Sequence, residues 1–88
     1  MIRRRVVVHG RVQGVFFRAS CVHEATGVGA RGWVANRPDG TVEAVFEGDV
    51  AVVEHMITWC GDGPERAEVR QVDVTEEPVE GLSGFEQR

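Results

Sequence analysis

The chain opens on a β-branched run, Arg3 to Val8, whose consecutive Val6, Val7 and Val8 predict an interior strand ending at Gly10. A stretch without a clear period, Gly10 to Val15, follows. From Phe16 the spacing changes: Phe17, Cys21, Ala25 and Val28 recur at four, four and three, which is one face of a helix. Thr26-Gly27-Val28-Gly29 closes that helix, with Gly27 or Gly29 free to take the left-handed cap. Ala30 to Asn36 predicts a second strand, with Trp33 as its largest buried side chain. Asn36-Arg37-Pro38-Asp39-Gly40 is dense in turn formers, and beyond it Val42, Ala44 and Phe46 alternate with Thr41, Glu43, Val45 and Glu47. That is a hairpin with one face in the core and the other largely polar.

Gly48-Asp49 supplies a stop and an N-cap for a second helix, on which Val53, Met56, Ile57 and Cys60 form a stripe. Gly61-Asp62-Gly63-Pro64 ends it. Ala67 to Thr75 predicts a fourth strand, and its change of phase between Val69 and Val72 marks a bulge. Glu76 to Gly84 is acidic and irregular, and Phe85 to Arg88 reads as a short edge strand. The order is β-α-β-β-α-β. Right-handed crossovers then put both helices on one face of a single antiparallel sheet, an α+β sandwich in one domain spanning 1–88.

Composition narrows the function. A hydrophobic fraction of 42% and a charged fraction of 27% are those of an ordinary globular protein. The net charge of −4 argues against a nucleic-acid surface, which needs a basic face. All ten basic residues are arginines. Arg3-Arg4-Arg5 is followed by too few apolar residues for a signal-peptide core or a membrane span, so a cytoplasmic protein without membrane contact is expected. The arginine cluster reads as a solvated strand end that could also draw anions. Cys21 and Cys60 lack metal-ligand spacing and read as buried free thiols, with a bridge between the two helices left open. His9 reads as a packing or surface residue, His23 and His55 as structural or exposed. No metal or cofactor is expected, and a monomer is.

The chemistry concentrates between the first strand and the first helix. A strand, a glycine turn and a helix start bring several main-chain N–H groups to one point, where the positive end of the helix dipole also lies. Arg18, in the first helical turn, is placed to fold its guanidinium over the same point. Convergent amides beside a planar fork of donors suit a tetrahedral oxyanion such as phosphate. Alternatively, a glycine turn is often only a turn, and an arginine in a first helical turn is commonly solvated. The loop is not of the GxxxxGK[ST] or GxGxxG kind. Cys21 lies a turn beyond Arg18, which excludes a cysteine-phosphatase loop with a covalent intermediate.

Two long segments carry a family resemblance. Gly10-Arg11-Val12-Gln13-Gly14-Val15-Phe16-Phe17-Arg18 resembles the first signature of the acylphosphatase family, and Gly32-Trp33-Val34-Ala35-Asn36-Arg37-Pro38-Asp39-Gly40-Thr41-Val42-Glu43 resembles its second. Gly63-Pro64-Glu65-Arg66-Ala67-Glu68-Val69 is similar to that family's approach to the fourth strand. The resemblance implies a ferredoxin-like sandwich. It implies hydrolysis of acyl phosphates to a carboxylate and inorganic phosphate, without cofactor. It assigns the phosphoryl group to Arg18 and to the main-chain amides of Gln13, Gly14, Val15, Phe16, Phe17 and Arg18, and the attacking water to Asn36. Ala19 and Ser20 are smaller than the residues often found there in the family. The competing readings are a non-enzymatic ferredoxin-like sensor or RNA binder, and a carbamoyl-phosphate-handling domain of a longer maturation protein. The RNA reading lacks the strand aromatics and basic surface such modules use. The maturation reading expects a longer chain than one ending at Arg88.

Overall fold

The computed structural model describes residues 1–88. Along the chain run β1 (Ile2–Arg11), α1 (Phe17–Val28), β2 (Arg31–Asn36), β3 (Val42–Gly48), α2 (Val50–Asp62), β4 (Glu68–Glu77) and β5 (Phe85–Gln87). One sheet holds the strands in the order β4-β1-β3-β2-β5. The first four strands pair antiparallel as expected, while the short edge strand β5 joins parallel to β2, so the full sheet is mixed rather than antiparallel.

Strand alternation and helix stripes meet in a single core. Val6 and Val8 of β1, Val34 of β2, and Val42, Ala44 and Phe46 of β3 face Phe17, Cys21 and Ala25 of α1 and Val53, Met56 and Cys60 of α2. The Phe17 ring meets Trp59 edge-on at 5.2 Å, and His55 Nε2 lies 2.6 Å from Glu24 across the two helices. Cys21 and Cys60 are buried and free. Hydrogen bonding to Cys60 and then burial push the Cys21 thiol well above the usual range, which keeps it unreactive. Gly29 takes the left-handed C-cap of α1 at φ 81°.

The bulge lies where the pattern shifts phase. His9 pairs with Gln71 but Gly10 with Val69, so Arg70 is the extra residue and both Val69 and Val72 turn to the core. Gly10 therefore does not end β1, which continues to Arg11. A Cβ on Gly10, at φ 127°, would stand 2.1 Å from the carbonyl oxygen of Glu68, so only glycine permits this close crossing.

Several side chains depart from expectation, all but one on the sheet face turned away from the helices. Trp33 is not the buried residue of β2. Strict alternation gives that place to Val34, and Trp33 is half-buried on the other face between the guanidinium groups of Arg88 and Arg5, at 4.7 and 5.6 Å. Nor is the second face of β3 polar and open, since Val45 and Glu47 are both fully buried. The segment expected to be merely acidic and irregular straps this face. The N–H groups of Glu80, Gly81 and Leu82 donate to the Glu47 carboxylate at 2.9, 3.1 and 3.0 Å. Arg3 is no solvated strand end: it is buried, with Nη1 2.7 Å from Glu47 and Nε 2.9 Å from Glu77. Arg5 pairs with Glu43 and Glu77, both at 2.6 Å. Cross-strand carboxylates thus neutralise this charge, and Arg3 and Arg5 are not free to draw anions. On the helix side, Asp49 stands at the N-cap of α2 without a side-chain bond, and only its carbonyl engages, accepting from Val53 N–H.

Candidate functional site

The loop between β1 and α1 is anchored from below by Val12 and Val15, both in the core. Between and after them, Gly14 and Phe16 take φ values of 73° and 64°. Left-handed residues interleaved with ordinary ones turn successive N–H groups toward one side of the chain, the geometry of an anion-binding nest. The N–H groups of Gln13, Gly14, Val15 and Phe16 have no acceptor within the protein. Phe16 is also the N-cap of α1 and gives the helix no side-chain cap, and the first turn carries no acidic residue. The orphan donors of the helix start and its dipole therefore face the same cleft, uncompensated. Holding a phenylalanine in the left-handed region costs about 1–2 kcal/mol relative to an ordinary conformation.

Over this loop lies a cleft of about 240 Å³ lined by Gly14, Phe16, Arg18, Ala19, Asn36 and Gln87. That is below the roughly 300 Å³ at which pockets for drug-sized ligands begin, and it suits a small anion better than a nucleotide. Arg18, on the first turn of α1, is half-buried and donates from Nη1 to the main-chain oxygen of Arg88 at 3.0 Å. Asn36 is the last residue of β2, in phase with core-facing Val34 and hence on the helix side of the sheet. The alternation that turns Trp33 away is what brings Asn36 to Arg18.

A carboxamide fastens the loop to the hairpin that follows Asn36. Gln13 Nε2 donates to the carbonyl oxygens of Arg37 and Thr41, at 2.8 and 2.9 Å. The hairpin is closed by Arg37 N–H to Thr41 O and Gly40 N–H to Arg37 O, at 2.9 and 3.1 Å. Within it, Asp39 Oδ1 accepts from the Thr41 hydroxyl and N–H, at 2.6 and 3.0 Å. Those two bonds, the hydroxyl first, hold the Asp39 carboxyl below its usual range.

Of the residues singled out in the sequence, Gly14, Phe16, Arg18 and Asn36 meet in one cleft. The side chains of Val15 and Phe17 are buried in the core, so only their main-chain amides are available to the loop. His9 is not among the lining residues; its Nε2 lies 2.7 Å from Asp73 in a cross-strand contact of β1 and β4. Two contributions had no local signal. Gln13 entered the sequence reading only through its main-chain N–H, and its side chain carried no signal. Gln87 reaches the cleft because β5 lies beside β2, a long-range pairing that no short pattern announces.

The fold is a ferredoxin-like α+β sandwich, and the cleft at the start of its first helix has the make-up of a small-oxyanion site. The acylphosphatase family model matches residues 4–87. An acylphosphatase of Rubrobacter xylanophilus is 54% identical over 87 residues, covering 98% of this chain and 79% of its own. One of Trichormus variabilis is 56% identical over 86 residues, covering 98% and 85%. The crystal structure of acylphosphatase from Bacillus subtilis matches with a TM-score of 0.96 at 36% identity, covering 100% of this chain and 99% of that one. The chain belongs to the acylphosphatase family.

Proposed function

We propose that the cleft between the β1–α1 loop and the end of β2 is the active site of this acylphosphatase. The activity follows from family membership: hydrolysis of the carboxyl–phosphate mixed anhydride of an acyl phosphate to a carboxylate and inorganic phosphate. The mechanism is our reading. The amides of Gln13 to Arg18 and the Arg18 guanidinium hold the phosphoryl oxygens, and Asn36 positions the attacking water. The observation that carries it is the convergence of Arg18 and Asn36 on one cleft above N–H groups that have no acceptor in the protein.

The chemistry explains why so few groups suffice. The leaving group is a carboxylate whose conjugate acid has a pKa of about 4–5, by analogy with side-chain carboxyls, so it departs as an anion and needs no general acid. Phosphoryl transfer passes through a loose transition state, for which positioning and charge stabilisation do most of the work. A guanidinium fork and a ring of amides supply the charge. Asn36 is not basic, and its carboxamide oxygen accepts from water and aims it rather than deprotonating it. No step in this scheme calls for a metal ion or a covalent intermediate. No helix is long and apolar enough to cross a membrane. We further propose that residues 1–88 act as one domain, as a cytoplasmic monomer whose partners are an acyl phosphate and phosphate rather than nucleic acid.

The test is phosphate release from benzoyl and acetyl phosphate by the purified protein in excess chelator, with a simple phosphate ester in parallel. Release from both acyl phosphates with the ester intact is expected. A strict requirement for a divalent cation would remove the metal-free mechanism.

A further inference from the structure

Phe16 has a side chain that neither the loop nor the core explains. It is the only residue other than glycine with a positive φ. It is also 70% exposed, more than any other large hydrophobic side chain in the protein, while its neighbours Val15 and Phe17 are buried. The nest needs a left-handed residue at this position, but glycine would supply it without strain, and asparagine at little cost. The ring contributes nothing to the core. Phe16 instead lines the cleft with Gly14, Arg18, Ala19, Asn36 and Gln87, and is the one large apolar residue among them. Strain and exposed apolar surface at the mouth of a polar cleft point to a ligand that covers the ring.

We propose that Phe16 is the wall on which the acyl group of the substrate lies, and that it selects aromatic and extended apolar acyl phosphates over short ones. The inference rests on the reading that the loop and Arg18 hold the phosphoryl group. With phosphate seated on the amides, the acyl substituent has to leave the cleft through its mouth. There it meets the phenyl face, with Ala19 too small to fill the space. An acyl group with its own ring or a long chain buries that face, whereas an acetyl group leaves most of it in water. Selection would therefore reside in one residue of the loop, through its side chain, while its main chain serves the phosphate.

The experiment compares kcat/KM for benzoyl and acetyl phosphate in the wild type and in Phe16→Gly, Phe16→Asn and Phe16→Tyr. The readout is the benzoyl-to-acetyl ratio within each protein, which cancels any change in the loop common to both substrates. Glycine and asparagine accept the left-handed backbone, so folding is not at risk. The ratio is expected to fall about tenfold in Phe16→Gly and Phe16→Asn and to survive in Phe16→Tyr, which keeps the aromatic face. A ratio that stays within about twofold of wild type in Phe16→Gly, on active enzyme, would overturn the proposal while leaving the phosphate site standing. A wild-type protein that hydrolysed neither substrate would overturn the phosphate site, and this proposal with it.

Discussion

Arg18 has two partners to serve, the Arg88 main-chain oxygen it already holds and the phosphoryl oxygens proposed for the cleft. Only a planar fork with several donors can do both. Arg18→Lys keeps the charge but loses the fork, and turnover of benzoyl phosphate should fall about a thousandfold or more, the scale on which catalytic arginines act in phosphoryl transfer. Inhibition by inorganic phosphate should weaken in the same variant, measured as its competitive inhibition constant. At this scale the sequence was informative where residue type and element end coincide. The sequence marked Arg18 by its place in a first helical turn after a glycine turn, while Asn36, itself a turn former, was marked by the family resemblance alone. It was misleading for Trp33 and Arg3. Size suggested burial for the first and charge suggested exposure for the second, while strand phase and cross-strand partners decided otherwise.

The elements matter for how they fix distances. Gln13 spans the loop and the hairpin with two hydrogen bonds from one nitrogen, and so sets how far Asn36 stands from the amides. Gln13→Met keeps the volume and removes both donors. Its kcat should fall roughly tenfold or more with a smaller change in phosphate inhibition, because small misplacements across a reacting pair are costly. A loss confined to thermal stability would instead mean that the bridge only braces the turn. Gly32 makes a second prediction. At φ 141°, a Cβ there would stand 1.8 Å from the Val45 carbonyl oxygen of the paired strand. Gly32→Ala should cost about 3 kcal/mol or more, whereas Gly40→Ala, with nothing within 4 Å, should cost about 1–2 kcal/mol from its φ alone. Thermal melts of the two variants check the difference. Hydrophobic period made strands, helices and even the bulge legible, because each is written in local spacing. The parallel seat of β5 and the strap over the far face were not, since a short strand carries no record of its partner and the strap's N–H groups find theirs in Glu47, some 33–35 residues back.

For the molecule as a whole, Glu47 links the strapped face of the sheet to pH. Burial by itself would raise its carboxyl, but the N–H groups of Glu80, Leu82 and Gly81 and the Arg3 guanidinium outweigh that and hold it at about 2, against an ordinary value of 4.5. A carboxyl depressed in the folded state contributes stability that is complete above its unfolded pKa and is lost as pH falls through the folded one. Glu77, beside Arg5 and Arg3, and Asp73, beside Gln71 and His9, shift in the same direction. Unfolding free energy from urea titration should therefore hold from neutral pH down to about 5 and decline steadily from there toward 2. Glu47→Gln should flatten that decline and lower stability at pH 7 by about 1.5–3 kcal/mol, because Arg3, still paired with Glu77, loses its fully buried counter-charge and the strap N–H groups lose a charged acceptor.

The effects expected at Arg18 and Gln13 bear on a division of labour within one cleft, in which one set of groups holds phosphate and a different residue aims water. Asn36→Ala tests that division most directly, with kcat for benzoyl phosphate and the inhibition constant of inorganic phosphate measured on the same preparation. The account predicts that kcat falls about a hundredfold or more while the inhibition constant stays within about twofold of wild type. Parallel loss of both quantities, or no loss of kcat, would contradict it.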